Sequence, residues 1–332
     1  MNNVVSKNTE TKKIRAEVVL ENIEVVKEQE QVLNEVTNVN VNINIKVKKE
    51  KSTGLKRDII DKFYTTEATV NKCMSLVRKH IVIEDNDLCI EPSAGDGSFI
   101  KLIKRMFKNY IFYDIKPDHK EIIEKDYLCI DENCKKCNEY NKIKNQNYNK
   151  IHIIGNPPFG RQSSLAIKFI KTSSKFCDSI SFILPKSFKK DSLKSHIDSH
   201  FHLKYECELP DDAFTVNNEK YNVPCVFQIW VKEENPRIIP LKLSPNKYSF
   251  VKKDENPDIS FRRVGINAGK THNTDIDKKS IQSHYFIKFD EPLSDELYKK
   301  IELIDFTSKN DTVGPRSISK QELIKEFNKI IT

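Results

Sequence analysis

Asp87-Leu88-Cys89-Ile90-Glu91-Pro92-Ser93-Ala94-Gly95-Asp96-Gly97-Ser98 opens on a short apolar run and closes on a turn of small residues. Two glycines beside Ser and Ala let a chain turn sharply at the end of a strand and pass close to a ligand. A helical stretch follows, Phe99 to Phe107, with Ile100, Ile103 and Phe107 on one face. The alternation then repeats. Tyr110 to Tyr113 is a second strand, closed by Asp114. Ile151 to Ile154 is a third, running into Gly155-Asn156-Pro157-Pro158, and Ile180 to Leu184 a fourth, ending at Pro185. Helical segments such as Leu165 to Ser174 lie between them. Strands alternating with helices predict right-handed crossovers and a mostly parallel, doubly wound α/β sheet. In such sheets ligands bind beyond the carboxyl ends of the strands. PSAGDG, Tyr113-Asp114, NPPFG and LPKSF all fall there.

The surrounding 332 residues allow about two domains. Hydrophobic residues at 38% and charged residues at 31% give a soluble, globular balance. Eight cysteines are too sparse for a secreted disulfide scaffold. Met1 to Glu10 is polar, unlike a signal peptide, and no stretch approaches the ~20 apolar residues of a membrane span. The expectation is an intracellular protein, cytoplasmic or nuclear, without membrane contact. A net charge of +8 suits an acidic partner such as nucleic acid without proving one. Asn38 to Lys49 reads NVNVNINIKVKK, a biased segment without large core residues. Residues 1–55 are therefore expected to form a low-complexity, flexible arm, 56–234 the α/β domain, and 235–332 a C-terminal region with a possible nucleic-acid role.

The chemistry concentrates at the strand ends. Glu91 is an acceptor placed for a cationic amine or a hydroxyl, and Asp114 can take the two hydroxyls of a ribose. Asn156-Pro157-Pro158-Phe159-Gly160 would alone be a turn. Its residue types also suit the methylation of an exocyclic base amine. That nitrogen's lone pair is delocalised into the ring, and two acceptors on its N–H groups localise it. Asn156 offers a side-chain oxygen and Pro157 a backbone carbonyl. Two prolines with fixed φ hold both acceptors before substrate arrives. Phe159 supplies a flat face for an extruded base, worth ~1–3 kcal/mol.

Together these segments resemble the amino-methyltransferases that use S-adenosylmethionine, in the gamma order, where cofactor motifs precede the catalytic NPPF motif. Phe63-Tyr64-Thr65-Thr66 resembles motif X, and EPSAGDGSF motif I. Asp114 with Ile115 matches motif II, Lys125-Asp126-Tyr127-Leu128 motif III, NPPFG motif IV and ISFILPKSF, Ile180 to Phe188, motif VI. Asp211 to Trp230 resembles the hairpin of motif VIII. The resemblance spans Phe63 to Val231. It implies a Rossmann-like methyltransferase sheet ending in an antiparallel hairpin, with S-adenosylmethionine as cofactor. The cofactor would meet Tyr64, Thr65, Glu91, Pro92, Ala94, Gly95, Asp96, Gly97, Asp114, Ile115, Asp126, Tyr127 and Asn156. The catalytic set would be Asn156, Pro157, Pro158, Phe159 and Phe214, the last favoured over Tyr221 as the second stacking ring. The substrate implied is a nucleic-acid base, foremost adenine N6 in DNA or RNA. Two alternatives stand beside it: methylation of a protein glutamine amide, which shares an Asn-Pro-Pro-aromatic motif, and a silent methyltransferase fold serving as a nucleic-acid-binding subunit. Residues 131–150 depart from the pattern as an insertion or a mobile loop, and 235–332 carry no recognised target-recognition motif.

Other residues invite simpler readings. Cys134 and Cys137 have half a zinc spacing with no second half, and His196, His200 and His202, clustered near a helix end, read as solvated histidines, so no metal is assigned. Lys186, Lys189, Lys190 and Lys194 follow the fourth strand on the ligand side and are candidates for phosphate contact. Arg262, Arg263 and Lys270, in SFRRVGINAGK, are candidates for a second phosphate-contacting loop.

Overall fold

The computed structural model describes residues 64–130, 138–216 and 219–331. The expected N-terminal arm, Phe63 and the Cys134/Cys137 pair lie outside the described residues. Among the latter, no helix is long and apolar enough to cross a membrane.

A two-residue strand, β1 (Tyr64–Thr65), leads into α1 (Glu67–His80), which buries Val70, Cys73, Met74 and Val77. Then come β2 (Leu88–Glu91), α2 (Ile100–Met106), β3 (Asn109–Asp114), β4 (Ile123–Glu124), α3 (Glu139–Asn145) and β5 (Ile151–Gly155). They are followed by α4 (Ser164–Ser174), β6 (Ser179–Pro185), the short α5 (Asp191–Lys194) and β7 (Phe201–Glu208). A small hairpin, β8 (Phe214–Val216) and β9 (Glu219–Tyr221), precedes β10 (Cys225–Lys232).

Seven of these strands form one sheet in the order β4-β3-β2-β5-β6-β10-β7. It is parallel from β4 to β6, and β10 runs antiparallel between β6 and β7. The architecture is thus the Rossmann-like, doubly wound α/β sheet expected from the strand–helix alternation, with the antiparallel pair at one side. Cys89, Ile154 and Ile183 enter the core on one face, and Leu88, Ile90, Ile153 and Phe182 the core on the other. Burial on both faces explains why these strands read as continuous apolar runs. The chain travels outward from β2 to β4, then returns to the other side of β2 as β5. In doubly wound sheets ligands bind outside the carboxyl ends of the strands at such a reversal, and Glu91 and Asn156 stand there.

A buried polar set ties the opposite ends of the same strands. His152 Nε2 lies 3.1 Å from Asp87 Oδ2 and its Nδ1 2.7 Å from Ser179 Oγ. All three residues are buried, and Asp87 also accepts from the Glu84 and Lys150 amides. A neutral ring donating to Asp87 and accepting from Ser179 satisfies every partner. Burial holds the His152 pKa below its ordinary 6.5, against the pull of Asp87. The unfolded chain therefore takes up the proton first, so this stabilisation is full above pH 6.5 and is lost as pH falls through the folded-state value. Urea unfolding at pH 7.5 and 5.5 should show lower stability at 5.5, with a smaller loss in His152→Gln. His152→Ala should cost ~3 kcal/mol at pH 7.5 by stranding two buried groups.

After β10 the chain builds a second sheet with its own core. β11 (Tyr248–Val251), β12 (Ile259–Arg262), β13 (Thr271–His272) and β14 (His284–Phe289) are antiparallel in the order β11-β14-β12-β13. Helices α6 (Asp295–Glu302) and α7 (Lys320–Ile330) cover one face, burying Ile301, Leu323 and Phe327 against Ile259, Phe261 and Ile287. Ser319 and Glu322 form a capping box at the start of α7.

Strand β7 and this module together claim the lysines read as phosphate contacts. Lys186 and Lys189 pair with Glu208 at 2.9 and 2.7 Å, and Lys194 with Glu206 at 2.9 Å. Lys189 also reaches Asp311, at 3.5 Å. Lys190 is nearly buried, 3.2 Å from Glu322 and 2.7 Å from the Ser317 carbonyl. Their charge is matched internally, and two of the four bind the C-terminal module to the end of β6.

Candidate active site

Glu91 ends β2 with its side chain sealed from solvent, and its Oε2 has no hydrogen-bond partner among the described residues. Burial, reinforced by Asp96 and Asp114, pushes its carboxyl well above the ordinary range. Residue 155 packs closely against this side chain as glycine: a Cβ there would come within 3.2 Å of Glu91 Cγ. The following loop is wound tightly. Ala94 N–H donates to the Tyr113 carbonyl at 2.8 Å and Gly97 N–H to the Ala94 carbonyl at 2.7 Å. Gly97 has φ +84°, and a Cβ on it would lie 2.7 Å from Ile100 Cδ1. Pro92 and Ala94 are buried under this turn, while Asp96 is exposed at its tip.

Asp114 is locked by the loops on either side. Its Oδ2 accepts from Gly95 N–H and its Oδ1 from Lys116 N–H, both at 2.8 Å. Each oxygen keeps acceptor capacity for a further donor. Ile115 beside it is exposed. Tyr64 lies against Gly95, and its hydroxyl donates to Asp118 Oδ2 at 2.7 Å. That bond, with burial second, pushes the phenol pKa up to about 12. Asp126 is exposed and caps the turn that follows, accepting from Leu128 N–H at 2.9 Å. Tyr127 departs from the expectation of a cofactor contact. Its ring is 1% exposed, stacks on Phe169 at 5.5 Å and bonds to Ser173 through its hydroxyl, so the side chain belongs to the core.

Among the residues expected to be catalytic, Asn156 Nδ2 donates to Thr65 Oγ1 at 3.3 Å, and Ser93 Oγ donates to the Asn156 carbonyl at 3.2 Å. Thr65 in turn belongs to a three-stranded sheet, β1-β8-β9, in which it pairs with Phe214. The segments resembling motifs X, I, IV and VIII are thereby brought to one end of the large sheet. Pro157 is buried and Pro158 half-buried. Gly160, at φ +67°, turns the chain so that the Phe159 carbonyl receives the first amides of α4, Leu165 and Ala166. Two aromatic expectations need correction. Phe159 is 4% exposed and Phe214 fully buried, both in the core cluster on the α1 face. In this conformation neither offers an open face to a base, because both turn inward to cover apolar neighbours. Tyr221, directly across from Phe214 in the β8–β9 register, is half-buried.

Asp118, Ser93 and Gly155 were missed by sequence reasoning. Asp118 lies 54 residues from its partner Tyr64, a separation that no local periodicity encodes. Gly155 had a signal, a glycine ending an apolar strand. The remaining candidates are engaged elsewhere: His200 faces Asp198 and His202 Nε2 bonds to the Asn235 carbonyl. Among the described residues no group of three His, Cys, Asp or Glu could hold a metal ion.

No family model matches the chain, and no curated protein sequence matches it. Similar solved structures include the 23S rRNA methyltransferase ErmE, with 11% identity and a TM-score of 0.37 over 53% of this chain and 72% of that one. A Thermoplasma acidophilum protein has 14% identity and a TM-score of 0.36, covering 52% of this chain and 89% of that one. An rRNA methylase from Streptococcus thermophilus has 11% identity and a TM-score of 0.30, covering 50% of this chain and 94% of that one. At this distance the functional reading rests on the site residues.

Proposed function

We propose that the chain is an S-adenosylmethionine-dependent methyltransferase acting on the exocyclic amine of a nucleic-acid base, adenine N6 foremost. The observation that carries this reading is the buried Glu91 carboxyl, without a partner for Oε2, one strand away from Asn156-Pro157-Pro158 at the switch point of the sheet. A sealed acid with an unmet oxygen suits the cationic amine of the cofactor's methionyl end, which would restore its charged form. Asp114, already oriented by two amides, suits the ribose hydroxyls. Asp126, exposed at the end of its loop, suits the adenine amino group. When bound, S-adenosylmethionine supplies a methyl group on an electrophilic sulfonium. Asn156 Oδ1 and the Pro157 carbonyl accept the two N–H groups of the target amine and localise its lone pair. Bound there, S-adenosylmethionine would give up its methyl group and leave as S-adenosylhomocysteine, and the methylated nitrogen, held by Asn156 and Pro157, would then lose one proton to water. Tyr221 replaces Phe214 as the ring at the base-side hairpin.

The decisive experiment incubates the protein with labelled S-adenosylmethionine and separate DNA, rRNA, mRNA and protein pools, then identifies the modified group by mass spectrometry. N6-methyladenine is expected; label in glutamine would favour the amide alternative, and no label with intact cofactor binding would favour the silent fold. Asp114→Ala should weaken cofactor binding at least tenfold, since each hydrogen bond to a charged group is worth ~1.5–3 kcal/mol. Calorimetry checks this, and unchanged affinity in a folded variant removes Asp114 from the site.

A further inference from the structure

The C-terminal module carries a cationic cluster that, unlike the lysines after β6, is not matched by acids. Arg262, Arg263, Lys270, Lys279 and Arg316 form no ion pair among the described residues. Arg262 and Arg316 bond through their side chains to the Val264 and Ile266 carbonyls of one loop, 264–270, between β12 and β13, Lys270 ends that loop, Lys279 acts on the neighbouring His272, and Arg263 lies beside it over the Tyr285 ring. Arg262 and Lys270 close it, the Arg262 amide donating to the Lys270 carbonyl at 2.8 Å and Gly269 N–H to the Arg262 carbonyl at 2.8 Å. Gly265 N–H donates to the Arg316 carbonyl at 2.9 Å, and Ile318 N–H to the Arg263 carbonyl at 2.8 Å. These bonds lay the 316–318 segment along the loop. Arg262 stands directly across from His284 in the β12–β14 register, and the His284 and His272 rings lie 6.4 Å apart. Burial first, then the surrounding cations, holds His272 below its ordinary pKa, with Lys279, Lys270 and Arg262 acting in the same direction. Glu302 is the carboxylate that opposes them at His272. Lys270 and Arg316 are exposed, and Ile266 and Asn267 project at the loop tip.

Position gives the cluster its meaning. The Ser317 carbonyl next to Arg316 is the one that Lys190 holds at 2.7 Å. Lys190 follows the carboxyl end of β6, beside β5 and its NPPF continuation. The unmatched charge is therefore docked at the catalytic end of the sheet. Four lysines there are neutralised internally, whereas these five cations in the docked module have no acidic partner among the described residues, an arrangement that attracts anions.

We infer that the loop 264–270, with Arg263, Lys270, Lys279 and Arg316, binds the phosphate backbone of the nucleic acid whose base enters the active site. This deepens the proposed function and rests on its nucleic-acid substrate. The contacts position the strand and carry no sequence information themselves.

The test compares the full chain with Lys270→Ala/Lys279→Ala/Arg316→Ala, and with Lys299→Ala/Lys325→Ala on exposed positions of α6 and α7. Anisotropy of labelled 20-nucleotide single-stranded RNA and 20-bp DNA is measured over a salt series, alongside calorimetric S-adenosylmethionine affinity. The triple variant should bind its preferred oligonucleotide at least tenfold more weakly, with the slope of log K against log salt reduced by about 2–3, at ~0.7–0.9 per lost phosphate contact. Cofactor affinity and the double variant's oligonucleotide binding should be unchanged. Whichever oligonucleotide binds more tightly identifies the source of the backbone. Absence of binding to both, an unaltered slope in the triple variant, or an equal loss in the double variant overturns the inference. Loss of methyl transfer or of cofactor binding by the unaltered chain would sink the proposed function while leaving a cluster-dependent oligonucleotide signal readable by itself.

Discussion

Asn156→Ala should lower kcat by ~100–1000-fold while leaving S-adenosylmethionine affinity within about twofold. The magnitude follows from removing one preorganised hydrogen-bonding group that acts on the transition state, by analogy with oxyanion-hole donors. The structure supplies the preorganisation. Thr65 Oγ1 takes the Nδ2 end of the amide at 3.3 Å, and Ser93 holds the backbone carbonyl at 3.2 Å. Oδ1, the acceptor end of that amide, is the atom proposed to receive the amine. The loss should fall on kcat rather than KM, because the acceptor gains strength only as the nitrogen becomes tetrahedral. A rate near wild type in Asn156→Ala, with any nucleic acid, would refute the NPPFG mechanism. Phe159 requires a gentler change. It is buried in the core, so Phe159→Ala would cost ~3–5 kcal/mol of stability. Phe159→Leu keeps most of the packing and should raise KM for the nucleic acid if the ring is uncovered on binding.

Glu91→Gln should move stability and binding in opposite directions. The folded state raises the Glu91 pKa through burial, so the unfolded chain ionises first as pH climbs past the ordinary 4.5. Each step above that value costs the ligand-free fold stability, up to the folded-state pKa. A neutral isostere removes the cost: Tm of the ligand-free protein should rise at pH 7 and change little at pH 4. S-adenosylmethionine affinity should instead fall ~10–100-fold, since the variant has no charge to offer the ammonium group. In the unaltered protein, cofactor binding should release a proton from Glu91, read by calorimetry in buffers of different ionisation enthalpy. A Glu91→Gln variant that is less stable at pH 7 and binds cofactor normally would make the residue a structural acid.

The same contrast marks what this sequence determines by itself. Alternating apolar runs and helical periodicity specify the parallel sheet, because strand and helix repeats are local properties of the chain. The turn residues after β2 and β5 are legible for the same reason: glycine and proline restrict φ wherever they stand, so PSAGDG and NPPFG announce their geometry without neighbours. Charge and aromatic character are not legible in that way. Lys190 reads as a candidate phosphate contact until Glu322, 132 residues later, folds against it. Tyr127 and Phe214 have the residue types of ligand contacts, and only the packing of Phe169 under one and α1 beside the other makes them core. Asp87, His152 and Ser179 meet at the foot of three strands because the sheet order brings β2, β5 and β6 together. The C-terminal sheet escaped sequence reading because its strands are short and its core is assembled with α6 and α7 from the far end of the chain. Partners separated by tens of residues are chosen by the topology, and whether a side chain faces water, a ligand or the core is settled only when that topology closes.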